Sequence, residues 1–274
     1  MREYSTPLTA EPPSSGNLTD DVVTNGAEFP DHVAFSRKAG SEWVEVTSAE
    51  FLLEVRSVAK GLLAAGIAAG DRVALIAKTR YEWTLLDYAI WFAGAATVPL
   101  YETSSADQTE WILADSGSRA VFTETQDHTS RVKTVRHALP ELHHVWSIEG
   151  NGIGVLSTLG EDVSDEELEA RRTGAGPEDL ATLIYTSGTT GHPKGCVLTH
   201  GNFMFELAVA IDELDELFAP STDEGGETAG ASTLLFLPMA HVFARIIQVG
   251  CVKARVRVGH SSGIKNLLGD LAEF

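Results

Sequence analysis

Residues 185–195 read Tyr-Thr-Ser-Gly-Thr-Thr-Gly-His-Pro-Lys-Gly. Ahead of them lies Leu180-Ala-Thr-Leu-Ile184, a short apolar run that reads as a buried strand, and behind them Cys196-Val-Leu-Thr199, a second short strand. The turn between the two holds three glycines, four hydroxyl side chains, one proline and one lysine. Glycines let the backbone approach a ligand closely, and successive N–H groups in such a turn form a concave anion site. Thr186, Ser187, Thr189 and Thr190 add hydroxyl donors, Lys194 adds a point charge, and Pro193 stiffens the exit. The combination reads as a polyphosphate cradle.

It is not the Walker loop, in which Gly and four residues precede Gly-Lys-Ser/Thr at the start of a helix. Here Gly191 is followed by His192-Pro193-Lys194-Gly195 and then by a strand. An ordinary flexible Ser/Gly/Thr loop is the competing reading, and the length and order of the motif speak against it.

Working outward, strands alternate with helices. Asp71–Ala77, Ala96–Leu100, Ala120–Glu124 and His143–Ile148 read as strands, and Tyr81–Ala93, a helix to about Asp115, and Thr125–Leu139 as the helices between them. That alternation predicts an α/β fold with a largely parallel sheet covered on both faces. Thr47-Ser-Ala-Glu50 and Ser105-Ala-Asp-Gln108 are capping boxes. His32–Lys38 and Trp43–Val46 read as a hairpin, and Trp83, Leu86, Ile90 and Trp91 as a core stripe. Residues 1–20, rich in Pro, Ser and Thr, predict an extended, partly disordered arm.

Gly150, Gly152 and Gly154 predict a loosened connection before a short helix capped by Ser164. After the cradle, Gly201–Phe218 and Met239–Val249 read as helices and Thr233–Leu237 as a strand. In Cys251–Val258 the bases Lys253, Arg255 and Arg257 alternate with apolar residues, which predicts a half-buried strand with one basic face. Cys196 reads as a core residue.

The 274 residues carry a formal net charge of −19, with 43% hydrophobic and 22% charged residues, so a sizeable core is available. The global negative charge argues against nucleic acid as a partner. Two cysteines, Cys196 and Cys251, show no pairing or metal spacing, which fits a reducing cytoplasm. The N-terminus lacks an apolar signal core. Residues 83–100 are interrupted by Asp87, Gly94 and Pro99 and do not read as a membrane span.

The order Thr-Ser-Gly-Thr-Thr-Gly-x-Pro-Lys-Gly resembles the phosphate-binding signature of the adenylate-forming (AMP-binding) superfamily. Gly94-Ala-Ala-Thr-Val-Pro-Leu-Tyr-Glu-Thr-Ser-Ser105, Gly70–Leu75 with Arg80-Tyr-Glu-Trp83, and Leu237-Pro-Met-Ala-His-Val-Phe-Ala-Arg245 are similar to segments of long-chain fatty-acyl-CoA synthetases of the actinobacterial type. The resemblance covers most of residues 20–274. It implies the layered α/β/α sheets of the adenylate-forming N-terminal domain, apparently truncated.

It also implies a two-step reaction: a fatty-acid carboxylate attacks the α-phosphorus of ATP and releases pyrophosphate, and the thiol of CoA then displaces AMP from the acyl-adenylate. ATP, Mg²⁺ and CoA are the expected cofactors and co-substrates, with a long-chain fatty acid as the acid. Tyr185, Thr186, Ser187, Gly188, Thr189, Thr190, Gly191, Lys194 and Gly195 are the implied nucleotide-binding residues. Lys194 and His241 are the implied catalytic residues, His241 beside the acyl carboxylate, and Thr186 is the implied Mg²⁺ contact. The family's later motifs are not found, so the expected organisation is an arm (1–20) and an incomplete N-terminal AMP-binding domain (21–274), without the C-terminal domain. The expected location is the cytoplasm, with peripheral contact at the inner membrane face to collect fatty acid. The competing readings are a catalytically silent nucleotide-binding or interaction module, and an acyl-AMP ligase serving an acceptor other than CoA.

Overall fold

The computed structural model describes residues 10–40, 42–186, 192–213, 221–222, 228–261, 263 and 265–274. In chain order the elements are α1 (Asp20–Glu28), β1 (Val33–Ala39), β2 (Glu42–Thr47), α2 (Ser48–Ala64), β3 (Arg72–Ile76), α3 (Tyr81–Phe92), β4 (Ala96–Leu100), α4 (Ala106–Asp115), β5 (Ala120–Thr123) and α5 (Gln126–Val135). There follow β6 (His144–Ser147), α6 (Gly152–Leu159), α7 (Asp165–Thr173), β7 (Leu180–Thr186), β8 (Lys194–Thr199), α8 (His200–Glu213), β9 (Ser221–Thr222), β10 (Thr228–Ala229), β11 (Ser232–Leu235), α9 (Val242–Ala254), β12 (Arg257–His260) and α10 (Leu267–Glu273).

Two sheets carry the fold. The larger has the order β6-β5-β3-β4-β7-β8 and is parallel except for the antiparallel β7–β8 hairpin. The smaller has the order β11-β12-β1-β2, parallel except for the β1–β2 hairpin. The predicted strands other than Cys251–Val258 are present, and both capping boxes form with their reciprocal side-chain bonds. Helix α3 is buried at every position but Glu82, because apolar residues surround it on all sides and it packs in the core. Trp83, Leu86, Ile90 and Trp91 are all core residues, as their spacing predicts. A second, smaller core beneath α4 and α5 covers the other face of the large sheet and includes Ala74, Val98, Ile112, Val121 and Val132.

Four expectations change. The end of the predicted arm is anchored: Leu18 and Thr19 are buried, and the Asn17 amide donates to the carbonyls of Arg172 and Ala175 at the end of α7. Residues 1–9 lie outside the described residues. The glycines at 150–154 do not loosen the chain, since Gly152–Leu159 is helical and α6 packs tightly on α2. Backbone meets backbone there, and a Cβ on Gly160 would lie 2.6 Å from the Lys60 carbonyl carbon.

The third change is at 251–258, where no single strand forms. Helix α9 runs on to Ala254, Arg255 takes a left-handed turn at φ 56°, and the strand begins only at Arg257. The buried positions Ala244, Arg245, Gln248, Val249, Cys251 and Val252 follow a helical stripe, and that longer period overrides the local alternation. Finally, Cys196 is exposed, because β8 is the edge strand of the large sheet; Cys251 is the buried cysteine. Residues 214–218, the end of the helix predicted over 201–218, lie outside the described residues.

Candidate nucleotide and acyl site

The β7–β8 hairpin pairs Thr186 with Lys194 and Tyr185 with Gly195, so these residues bracket the turn in register. Ser187, Gly188, Thr189, Thr190 and Gly191 lie outside the described residues. Helix α4 holds the bracket from the side. The Trp111 indole N–H donates to the Pro193 carbonyl at 2.9 Å, and its ring stacks on His192 with centroids 4.2 Å apart. One turn further on, the Asp115 carboxylate accepts the Tyr185 hydroxyl at 2.6 Å. A Cβ at Gly195 would stand 3.2 Å from the Tyr185 ring, so the missing side chain lets that ring cross the hairpin. Burial, reinforced by the Asp115 carboxylate, holds the Tyr185 phenol above its ordinary value, so it stays a proton donor at neutral pH. Lys194 and Thr186 are exposed, and among the described residues no carboxylate pairs with Lys194.

His241 is the N-cap of α9. Its Nδ1 accepts the Phe243 N–H at 3.3 Å, and its backbone N–H donates to the Pro238 carbonyl. With Nδ1 accepting, the proton of a neutral ring sits on Nε2, which is left as a donor. A cleft of about 420 Å³ brings His241 to the hairpin, lined by Tyr101, Gln108, Tyr185, Thr186, Pro193 and His241 among others. Its walls are built where β4 and β7 run out at their C-terminal ends and where the β11–α9 connection crosses over, the position at which open α/β sheets bind ligands. The Thr79 hydroxyl after β3 donates to the Leu237 carbonyl at 2.6 Å and pins that connection. The structure therefore brings together Tyr185, Thr186 and His241, with Lys194 and Gly195 on the adjoining strand.

Sequence reasoning missed Trp111 and Asp115. Their i, i+4 spacing on a capped helix puts them on one face, but nothing local ties that face to a turn some eighty residues later. For Mg²⁺, Thr186 offers one neutral hydroxyl, and among the described residues no group of three or more His, Cys, Asp or Glu comes together. A magnesium ion here would rely on phosphate oxygens for most of its ligands, an arrangement it tolerates.

Comparison with known proteins fits this geometry. A 277-residue alignment with the long-chain-fatty-acid–CoA ligase FadD15 of Mycobacterium tuberculosis is 42% identical, covering 100% of this chain and 45% of that protein. The chain thus spans a little under half the length of the curated relatives it matches most fully. Among solved structures, a long-chain-fatty-acid–CoA ligase (FadD1) of Archaeoglobus fulgidus superposes with a TM-score of 0.78 at 19% identity, over 96% of this chain and 50% of that one. The N-terminal domain of FACL13 from M. tuberculosis superposes with a TM-score of 0.76 at 24% identity, over 94% and 60%. At those identities the likeness is one of fold. The model of the AMP-binding enzyme family, by contrast, matches residues 22–270, from the first helix through both sheets to the last helix, and so this chain belongs to the AMP-binding enzyme family.

Proposed function

We propose that this chain forms the nucleotide- and acid-binding part of an AMP-forming long-chain fatty acid–CoA ligase. The supporting observation is the cleft that His241 shares with Tyr185, Thr186 and Pro193 of the hairpin, where Thr186 is paired with Lys194 on the next strand. Adenylation crowds anionic oxygens around the α-phosphorus, so the site has to supply positive charge and donors already in place. Lys194, the hydroxyls of Thr186, Ser187, Thr189 and Thr190, and the backbone of residues 188–191 would hold the β- and γ-phosphates as pyrophosphate leaves. The His241 Nε2–H would orient the attacking carboxylate. Tyr185 and Gly195 would keep the hairpin in register. No enzyme nucleophile is needed, because the substrate carboxylate and then the CoA thiol each form the new bond. A bound magnesium ion would add charge neutralisation on the phosphates, with Thr186 as its protein contact.

The acid is assigned by what the cleft lacks. A substrate ammonium buried beside the carboxylate would need an anionic partner. Leu237–Arg245 contains no carboxylate, and an apolar tail needs none. Collection of the acid by peripheral contact at the inner membrane face completes the proposal. Among the described residues no helix is long and apolar enough to cross a bilayer. The test is ATP–pyrophosphate exchange by the intact polypeptide against a panel of fatty and amino acids. Exchange driven by long-chain fatty acids is expected. Exchange driven by amino acids alone would overturn the assignment, and ATP binding without exchange by any acid would leave a nucleotide-binding module in its place.

A further inference from the structure

Arg245 lies one turn into α9, four residues after His241, and is completely buried together with its partner Asp87 on α3. Its Nε and Nη2 donate to the two Asp87 carboxylate oxygens at 3.2 and 2.6 Å, and its Nη1 donates to the Thr182 hydroxyl on β7 at 2.5 Å. The Thr182 hydroxyl in turn donates to the Thr97 carbonyl on β4, and the Thr97 hydroxyl donates to Asp87. The rings of Trp83, Trp91 and Phe203 surround the guanidinium, with centroids 5.3–5.5 Å away. Gln248, one turn beyond Arg245, donates to Asp87 and accepts from Thr84, whose hydroxyl also meets His260 on β12. One connected set of hydrogen bonds therefore joins α3, β4, β7, α9 and the smaller sheet.

A fully buried ion pair is poor value as a source of stability, since well-packed apolar residues of the same size do as well or better. What it supplies is geometry. A planar guanidinium with three bonded nitrogens has one acceptable position relative to its partners. Two of the elements it joins, β7 and α9, both reach the cleft, through Thr186 and Val242. Thr182 stands four residues before Thr186 on β7, and Arg245 stands four residues after His241.

We propose that Arg245 is a positioning residue: by bonding Thr182 and Asp87 at once, it fixes the span between the start of α9, which carries His241, and the β7–β8 hairpin, which carries the phosphate cradle. The consequence for catalysis rests on the function proposed above; the fixed span does not. A misplacement of about 1 Å at a reacting centre costs on the order of 100-fold in rate, so a loosened span reads out in kcat, while the hairpin that grips ATP keeps its own contacts and KM for ATP stays nearly constant.

The test separates the two layers. Spin labels are placed on the native Cys196 of β8 and on Phe243→Cys in the first turn of α9, both sites being exposed, while buried Cys251 is shielded and its thiol is pushed up to about 12 by burial. Dipolar EPR then reads the span directly. A single narrow distribution is expected with Arg245 present, and a broadened or shifted one in Arg245→Met. Arg245→Lys, which keeps the charge and one bond, is expected to fall between them. Thr182→Val leaves the Arg245–Asp87 pair in place and removes its tie to β7, together with the Thr182 bond to Thr97, at nearly constant volume; it is expected to move the distribution in the same way, which covers the case in which Arg245→Met does not fold. An unchanged distribution in a folded Arg245→Met or Thr182→Val protein would overturn the proposal. A changed distribution with kcat unaltered, or a loss of activity matched by an equal rise in the KM for ATP, would overturn the catalytic consequence of the span. If the protein activates no acid at all, the proposed function falls, and the EPR result still decides whether Arg245 sets the span.

Discussion

Lowering the pH from 7 to 5 is expected to destabilise this chain by about 4 kcal/mol through two buried histidines. His200 opens α8 at 2% exposure, its Nδ1 accepting the Leu18 N–H; His260 ends β12 at 5% exposure, its Nε2 2.8 Å from the Thr84 hydroxyl. Burial is the main cause that holds both imidazoles down to about 4, against an ordinary value of 6.5. Between those two values the unfolded chain takes up a proton on each ring and the folded chain does not. Stability is therefore fully present above about pH 6.5 and is lost as pH falls toward 4. At pH 5 each histidine accounts for about 2 kcal/mol, and across the middle of the window each contributes a slope of about 1.4 kcal/mol per pH unit.

Urea unfolding followed by tryptophan fluorescence at pH 7, 6 and 5 measures the slope, since Trp83 and Trp91 are core residues. Other groups titrate nearby. Burial shifts His32 in the same direction, whereas it raises the Asp21 and Asp87 carboxyls, which contribute with the opposite sign. The decisive quantity is for that reason the difference between proteins. His200→Asn and His260→Gln keep a polar atom near the original one, and each should remove about half of the histidine slope. A His260→Gln protein with the pH slope of the parent would refute the idea that burial keeps this ring neutral.

Replacing Lys194 by Ala removes a charge-assisted contact worth about 1.5–3 kcal/mol, or roughly 10- to 150-fold in acyl-adenylate formation; a single-turnover assay with an unchanged rate would sink its assignment to the phosphates. Gly160→Ala forces a methyl into the backbone of α2, overlapping the Gly61 nitrogen, and should cost about 1–3 kcal/mol by overpacking. Urea midpoints compare it with the parent, and an equal midpoint would show that α6 can move off α2 without penalty.

What could be read from the chain divides by distance along it. The cradle is a continuous run of eleven residues whose types each have a local reason, and its flanking strands announce themselves by branched apolar residues. The capping boxes at Thr47 and Ser105 are legible for the same reason, since each is complete within four residues. Local signals fail where a longer-range constraint is stronger. The alternating bases at 253–257 suggest a strand, but burial of Gln248, Val249, Cys251 and Val252 in one helical stripe prolongs α9, and the turn waits until Arg255. Cys196 sits in an apolar run whose burial depends on whether its strand has a neighbour on both sides, and β8 has one.

The same distinction explains the two halves of the site. His241 and the cradle each stand in a recognisable motif, yet neither motif says that His241 shares a cleft with Tyr185, Thr186 and Pro193. That follows from bonds between residues far apart in sequence: Trp111 to Pro193, Tyr185 to Asp115, and Arg245 to both Asp87 and Thr182. In sequence, Asp87 is an interruption in an apolar helix and Arg245 the end of an apolar run. Each would be costly to bury alone, and the fold resolves both costs by setting one against the other. The pairing supplies a reason for a charge in each place that inspection of either segment lacks. It also implies that Asp87→Asn and Arg245→Met should be strongly non-additive, because once either charge is removed the other is already unpaired.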